Sequence, residues 1–374
     1  MRPAPEPVLP DYGGACLSSL VPALLGRASG SPDWLPEPAR SARQVVLFVL
    51  DGLGWEQLRR RPSVAPVLAD MQGGAITSVA PTTTATALTS ITTGLAPAHH
   101  GVVGYRVRVG SNEVLNVLRW RTESGDARES VPPEKFQPQP AFSGARPPVL
   151  TRAEFASTGF TMAHLVGTRL HGWRVPSALA VEVGGLLEDG EPFVYAYYDG
   201  IDKVAHERGF GDFYDAELAA TDRLVADVAA VLPRGAALVV TSDHGQVEVG
   251  ESTLVLDPEL MADVELLSGE GRFRWLHARR GSAAGLAERA RARYGEVAWV
   301  RTREELVEQG WLGGRPAPEV ERRLGDVALI PFEPVAFFDP ADTGEARMVC
   351  RHGSLTAEEA LVPLVACAPP DGEG

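Results

Sequence analysis

The unbroken apolar run Val45–Leu50 stops at Asp51-Gly52, the pattern of a strand buried on both faces and ended by a turn. Phe193–Tyr198 and Ala237–Ser242 repeat that pattern, each running into acidic residues, and Leu361–Ala366 is a further apolar strand. Between them the apolar spacing changes to the helical period, which predicts helices over Ala178–Leu187 and Ala216–Leu232. Earlier in the chain a loose N-terminal arm leads to a short helix near Leu17–Leu25, and a strand is expected near Ala75–Val79. Pro81 then opens a Thr-rich turn into a helix over Thr84–Thr93. The stretch from Gly110 to Pro148 is rich in Arg, Glu, Pro and Ser and reads as a surface excursion over the active face. A helix from Arg152 and a strand at Phe160–Leu165 are expected to return the chain to the sheet.

This alternation predicts an α/β fold, a mostly parallel central sheet with helices on both faces. Residues 252–340 break the rhythm with helix-like stretches at Ala283–Tyr294 and Arg303–Gln309 between short strands. The expected division is an arm and short helix over 1–43, a catalytic core over 44–251 and 341–374, and a small α/β insertion or cap over 252–340.

Composition narrows the partners. With 374 residues, 44% of them hydrophobic, the chain can bury a substantial core, and its net charge of −14 repels long nucleic acids and acidic membrane surfaces. A local metal centre could still capture one phosphate. The opening MRPAPEPVLPDYGG lacks the basic start and apolar run of a secretory signal, and ACLSSLVPALLG is too short to span a bilayer. Three cysteines without CxxC spacing suggest neither a disulfide framework nor a thiolate zinc site. A cytoplasmic protein with no membrane partner is expected.

In open α/β sheets, polar groups converge beyond the carboxyl ends of the strands, and Asp51, Asp202 and the pair Asp243-His244 all fall there. Asp202 and His206 are i and i+4, able to face one ion from a helical turn. Adjacent Asp243 and His244 diverge, so one can hold an ion while the other serves a neighbouring one. His352 comes late and is the least specific, and Asp199 is a competing carboxylate seven residues before His206, a candidate to support it. Read singly, each has a bland alternative as a turn residue, a cap or a structural histidine. Together they offer carboxylate and imidazole for two divalent cations, each needing about three protein ligands and an open position. A threonine hydroxyl at a helix start, activated by such an ion, is a candidate nucleophile. Spacing alone leaves Thr82, Thr83, Thr84 and Thr86 open, against the bland reading of a Thr-rich cap.

Motif order from Val45 to Ala366, outside the insertion, resembles the nucleotide pyrophosphatase/phosphodiesterase family of the alkaline phosphatase superfamily. The match lies in Pro81, Thr84, Thr93-Gly94, then Leu95, Pro97, His100 and Gly101, with Asp202 and His206, Asp243-His244-Gly245, Asp51-Gly52 and His352-Gly353. The resemblance selects Thr84 as the nucleophile and implies an alkaline-phosphatase-like core. It also implies two metal ions, with zinc the favoured identity: one held by Asp202, His206 and His352, the other by Asp51, Thr84, Asp243 and His244. One departure stands out. Where the family commonly carries Phe-Pro-Asn, with Asn donating to a phosphate oxygen, this chain has Ala85, Thr86 and Ala87. The amide of Ala85 or the hydroxyl of Thr83 or Thr86 could substitute.

The reading is a two-metal hydrolase of phosphodiester or nucleotide pyrophosphate bonds that works through a phospho-threonine intermediate on a small phosphate ester, with a nucleotide as one candidate. The alternatives are a phosphomonoesterase or phosphonate hydrolase of the same superfamily, and a catalytically silent binding protein. A sulfatase is disfavoured because no Cys lies in a C-x-P-x-R context. Tyr105, Trp120, Phe142, Trp173 and Tyr198 are candidates to stack a base, against the commoner outcome that each is ordinary packing.

Overall fold

The computed structural model describes residues 4–26, 30–342, 344 and 347–369; the first three residues of the expected arm and the last five of the expected core lie outside it. The main sheet has seven strands: β1 (Gln44–Leu50), β2 (Gln72–Thr77), β3 (Pro148–Arg152), β4 (Arg169–Trp173), β5 (Phe193–Tyr198), β6 (Ala236–Thr241) and β7 (Leu361–Cys367). Their order is β2-β7-β6-β1-β5-β3-β4. The five strands from β6 to β4 run parallel, and β7 lies antiparallel between β6 and the edge strand β2. The expected mostly parallel α/β sheet is therefore observed.

β1 alternates as a doubly covered strand must. Val45, Leu47 and Val49 join the core on one face, and Val46, Phe48 and Leu50 join the core on the other. Val49 is in register with Thr241 and Leu50 with Tyr198, so β1, β5 and β6 end level and their following loops meet at one edge. Gly52 makes that meeting close. It sits at φ +75°, and a Cβ there would lie 2.9 Å from the Asp202 Cα and 2.6 Å from the Gln246 amide nitrogen.

Helices over Leu17–Leu25, Thr84–Thr93, Ala178–Glu188 and Asp212–Ala230 lie where periodicity predicts them. Two expectations fail. Phe160–Leu165 is not a strand: Gly159–His164 is helical, started by the Thr158 side chain accepting from the Thr161 amide. A six-residue apolar run has too little periodicity to separate the two states, and the cap decides. The expected helix from Arg152 is also absent. Its start is instead the end of β3, followed by a single turn over Ala153–Phe155. The 110–148 excursion is more regular than its composition suggests. It holds much of a four-stranded antiparallel sheet built from Arg106–Arg108, Val114–Asn116, Arg121–Thr122 and Gly125–Asp126. The N-terminal arm is pinned rather than loose: Val8 donates to the Leu355 carbonyl at 2.9 Å and the Trp299 indole donates to the Pro5 carbonyl at 2.7 Å.

A second antiparallel sheet joins Val264–Glu270, Phe273–Ala278, Val327–Pro331 and Ala298–Thr302, packed on the helix Ala283–Tyr294 around its own apolar cluster. Arg272, fully buried between its first two strands, makes a two-pronged bond to Glu359, both contacts 2.7 Å, and donates to the Glu333, Val335 and Pro331 carbonyls. Glu359 accepts in turn from the Ser354 amide, two residues beyond His352. This fully hydrogen-bonded ion pair ties the second sheet to the loop that carries His352, and removing one partner from such a pair costs about 3–5 kcal/mol.

Three buried histidines make stability depend on pH. Burial is the main cause that holds His100 at a pKa of about 3, His164 at about 4 and His277 at about 3, with Arg323 beside His100 and Arg108 beside His277 adding to it. His100 Nδ1 accepts from the Val102 amide, so Nε2 carries the proton and donates to Ser90. Each ring is neutral in the folded chain and titrates near 6.5 in the unfolded one. The unfolded chain therefore binds more protons between about pH 4 and 6.5, and stability falls on acidification through that window, by up to about 1.4 kcal/mol per unit for each histidine. Urea midpoints at about pH 7.5 and pH 5 should differ clearly, and His100→Gln should flatten the dependence; equal midpoints would refute the assignment.

Candidate active site

Asp51 follows β1, Asp202 and His206 lie on the helix Gly200–Arg208 after β5, and Asp243 and His244 follow β6. Thr84 opens its helix, and His352 arrives on the loop after the short strand Cys350–Arg351, which pairs with Val247–Glu248. All seven lie at the edge where β1, β5 and β6 end. Thr84, only 8% exposed, has its hydroxyl 3.0 Å from His244 Nε2. The same nitrogen lies 3.3 Å from an Asp243 oxygen and 3.5 Å from an Asp51 oxygen, and the His352 ring stacks on His244 at 3.5 Å.

Among the described residues two groups of ligand atoms converge within 4.8 Å: Asp51, Asp243 and His244, and Asp202, His244 and His352. His206 Nε2 lies 3.2 Å from Asp202 Oδ1 but belongs to neither group. His244 thus stands between the clusters, which its sequence position does not reveal.

The donor set fits divalent cations on two counts. Asp51 Oδ1 and Asp243 Oδ2 are buried without a hydrogen-bond partner, an arrangement too costly for two neighbouring carboxylates unless something positive sits between them. The three imidazoles are also turned alike: Nδ1 of His206, His244 and His352 lies 2.7, 3.1 and 2.8 Å from the carbonyls of Cys350, Gly245 and Thr82. Donating there fixes the tautomer and leaves each Nε2 lone pair for the centre. Burial, then the charge of Asp243, pushes the Asp51 carboxyl up, and the Tyr197 hydroxyl that donates to it works the other way.

Several supporting groups escaped the sequence reading. Tyr197 binds Asp51, Gln246 donates to Asp202 Oδ1 at 2.9 Å, and the amides of Gly52 and His244 hold Asp243 Oδ1. Strand alternation carries the one available signal, because Tyr195 and Tyr197 share a face of β5 while Tyr198 points the other way, to Glu217. Asp199 does not support His206: it is held by Arg152 at 2.7 Å and Lys203 at 2.6 Å. Of the stacking candidates, Trp120, Phe142 and Trp173 are core residues, and Tyr105 lines a cavity beside Thr84.

That cavity, about 240 Å³, is lined by Thr83, Thr84, Arg119, Asp202, His206 and His352 among others. A second, of about 260 Å³, shares Thr84, Leu118 and Asp202 with the first and is further lined by Phe155, Phe160 and Tyr195. The Thr83 hydroxyl donates to Glu270 and does not cap the Thr84–Thr93 helix, so the first-turn amides stay open. Thr83 is therefore engaged, while Ala85 and Thr86 are both fully buried and line neither cavity, and the Thr86 hydroxyl has no hydrogen-bond partner. Of the three replacements for the missing Asn, the Ala85 amide and the Thr86 hydroxyl both stay open.

The fold is that of the alkaline phosphatase superfamily. Murine ectonucleotide pyrophosphatase/phosphodiesterase 5 superposes with a TM-score of 0.64 at 16% identity, over 87% of this chain and 88% of that one. An inactive threonine-to-alanine form of the murine protein in complex with AMP gives 0.63 at 16% identity, again over 87% and 88%. Phosphonoacetate hydrolase from Sinorhizobium meliloti, in complex with phosphonoformate, gives 0.62 at 20% identity over 87% and 90%. No curated protein matches the sequence. The type I phosphodiesterase / nucleotide pyrophosphatase family matches residues 45–183 and 161–355, and the chain belongs to that family. Among the described residues no helix is long and apolar enough to cross a membrane.

Proposed function

We propose that the chain hydrolyses phosphodiester or nucleotide pyrophosphate bonds through a covalent intermediate on Thr84. The observation that carries this reading is the Thr84 hydroxyl, set at an open helix start and 3.0 Å from the imidazole shared by two convergent ligand groups. Family membership supports the bond type, and the murine relative's inactive threonine-to-alanine form with AMP supports a threonine nucleophile and a nucleotide substrate.

Asp51, Thr84, Asp243 and His244 would hold one divalent ion and Asp202, His206 and His352 the other, with zinc favoured by the imidazole-rich donor set. Such ions, when bound, acidify the threonine hydroxyl and neutralise charge on the phosphoryl and leaving oxygens. Thr84 Oγ attacks phosphorus as its proton passes to solvent, and the bond from phosphorus to the leaving oxygen breaks, that oxygen taking a proton from solvent where it leaves as an alcohol. Water then attacks the phospho-threonine, the phosphorus to Oγ bond breaks, and the hydroxyl is restored. The Ala85 amide or the Thr86 hydroxyl, which has no other partner, would donate to a phosphoryl oxygen, the task of the absent Asn. Retention of every expected ligand type together with Thr84 argues against a silent binding protein. Free Cys16, Cys350 and Cys367 fit a reducing, cytoplasmic setting.

The likeness to a phosphonoacetate hydrolase, together with Ala87, keeps phosphonate hydrolysis as the second reading. Rates on an aryl phosphodiester, a dinucleotide pyrophosphate, a phosphomonoester and phosphonoacetate separate the two. The first two are expected to exceed the monoester in kcat/KM by at least about tenfold. Preference for the monoester or the phosphonate would overturn the substrate assignment, and no turnover of any of the four would overturn the enzyme.

A further inference from the structure

Leu118 and Arg119 reach the site from a turn that is strained and heavily braced. Trp120, the next residue, holds φ +52°, a left-handed conformation costly for a bulky side chain. Its indole donates to the Val131 carbonyl at 2.8 Å and meets Phe136 edge-on at 5.5 Å. Gly159 lies so close beneath the ring that a Cβ there would sit 2.2 Å from Trp120 Cγ. The Arg119 amide donates to Asn116 Oδ1 at 3.0 Å, and the Asn116 amide group donates to the Tyr105 hydroxyl. Strain over-determined in this way persists where a side chain must be presented in one position.

The side chain presented is Arg119, exposed and lining the cavity that also contains Thr84, His206 and His352. Arg351, the cavity's other cation, is buried and already donates to Thr253 at 3.0 Å and to the Met348 carbonyl at 3.3 Å. Arg119 has no carboxylate partner among the described residues. A guanidinium that lines the cavity beside Thr84 without a carboxylate partner is a fork for an anionic oxo group.

We propose that Arg119 is a specificity residue that receives a second anionic group of the substrate, a phosphoryl or carboxylate beyond the phosphorus that Thr84 attacks. This inference rests on the proposed phosphoryl transfer. It assigns the chain to substrates with two anionic centres rather than to simple diesters.

Arg119→Ala and Arg119→Lys are compared with wild type in the metal-loaded enzyme. The substrates are a dinucleotide pyrophosphate, phosphonoacetate and an aryl phosphodiester, whose leaving group has no second charge. In the Ala variant KM should rise about tenfold to a hundredfold for one or both doubly anionic substrates, with kcat nearly unchanged and the aryl diester unaffected. Lys should recover part of the loss, and whichever substrate responds identifies the second group as phosphoryl or carboxylate. An equal change on all three substrates, or none, would overturn the proposal. Calorimetric titration of methylenebisphosphonate and of phosphonoformate needs no turnover and reads the same contact for a phosphoryl and a carboxylate. Binding of either weakened about tenfold by Arg119→Ala supports the proposal even where Thr84 chemistry fails, and equal binding of both overturns it.

Discussion

Thr84→Ala is expected to lower kcat on an aryl phosphodiester by at least about a thousandfold while leaving the fold and substrate binding in place. The side chain is small, and the helix it opens depends on the buried run from Ala85 to Thr93, so the loss should be chemical. Acid-quenched turnover of the wild type should yield phosphothreonine at this position, and Thr84→Ser should retain part of the rate. Thr82 and Thr83 are internal controls: their hydroxyls are committed to the Ser354 carbonyl and to Glu270, so neither can replace the nucleophile. If Thr84→Ala turned over the diester as fast as wild type, the covalent route would be wrong.

The second large effect concerns the cation site. Asp51 and Asp243 are both buried and both within 3.5 Å of one imidazole nitrogen, so an unneutralised centre sets like charges against each other in a region of low dielectric. Dialysis against a strong chelator should remove about two ions per chain and lower Tm by at least about 5 °C, since ligand at a thousand times its Kd contributes about 4 kcal/mol. Asp243→Asn should bind less metal, and the sign of its stability change should depend on the state compared. It should destabilise the loaded protein and stabilise the metal-free one, because it removes half of the repelling pair. Metal content and Tm unmoved by chelation would remove the basis for the site.

The sequence pattern reaches furthest where burial is complete. β1, β5 and β6 announce themselves as continuous apolar runs, and the acidic residues at their ends are drawn together by parallel register alone. The helix over Thr84–Thr93 is legible from a Thr-rich turn after Pro81 that runs into a stretch of Ala, Leu and Thr suited to a helix. Phe160–Leu165 is misread because its state is decided by one hydroxyl outside the run, that of Thr158. Around the site, the residue types that bind are visible, but their mutual arrangement is not. That His244 is shared, that Tyr197 braces Asp51 and that Thr83 is taken by Glu270 are consequences of three-dimensional packing between segments up to 187 residues apart. The excursion before β3 is the hardest part, because its order comes from Trp120 packing over Gly159 and Phe136 rather than from any local propensity.

The loop bearing His352 has a further consequence. It reaches the site from a point 301 residues beyond Asp51 in the chain, braced by the Arg272–Glu359 pair and followed, after the helical turn Ala357–Ala360, by β7. Loop closure over such a span comes late in folding, after the local pairings have formed. During synthesis, Asp51, Asp202 and Asp243 therefore wait without their last imidazole until the final strand of the sheet has inserted. Full metal affinity would then be a property of the finished protein alone, and ion uptake during translation would report when the chain has closed.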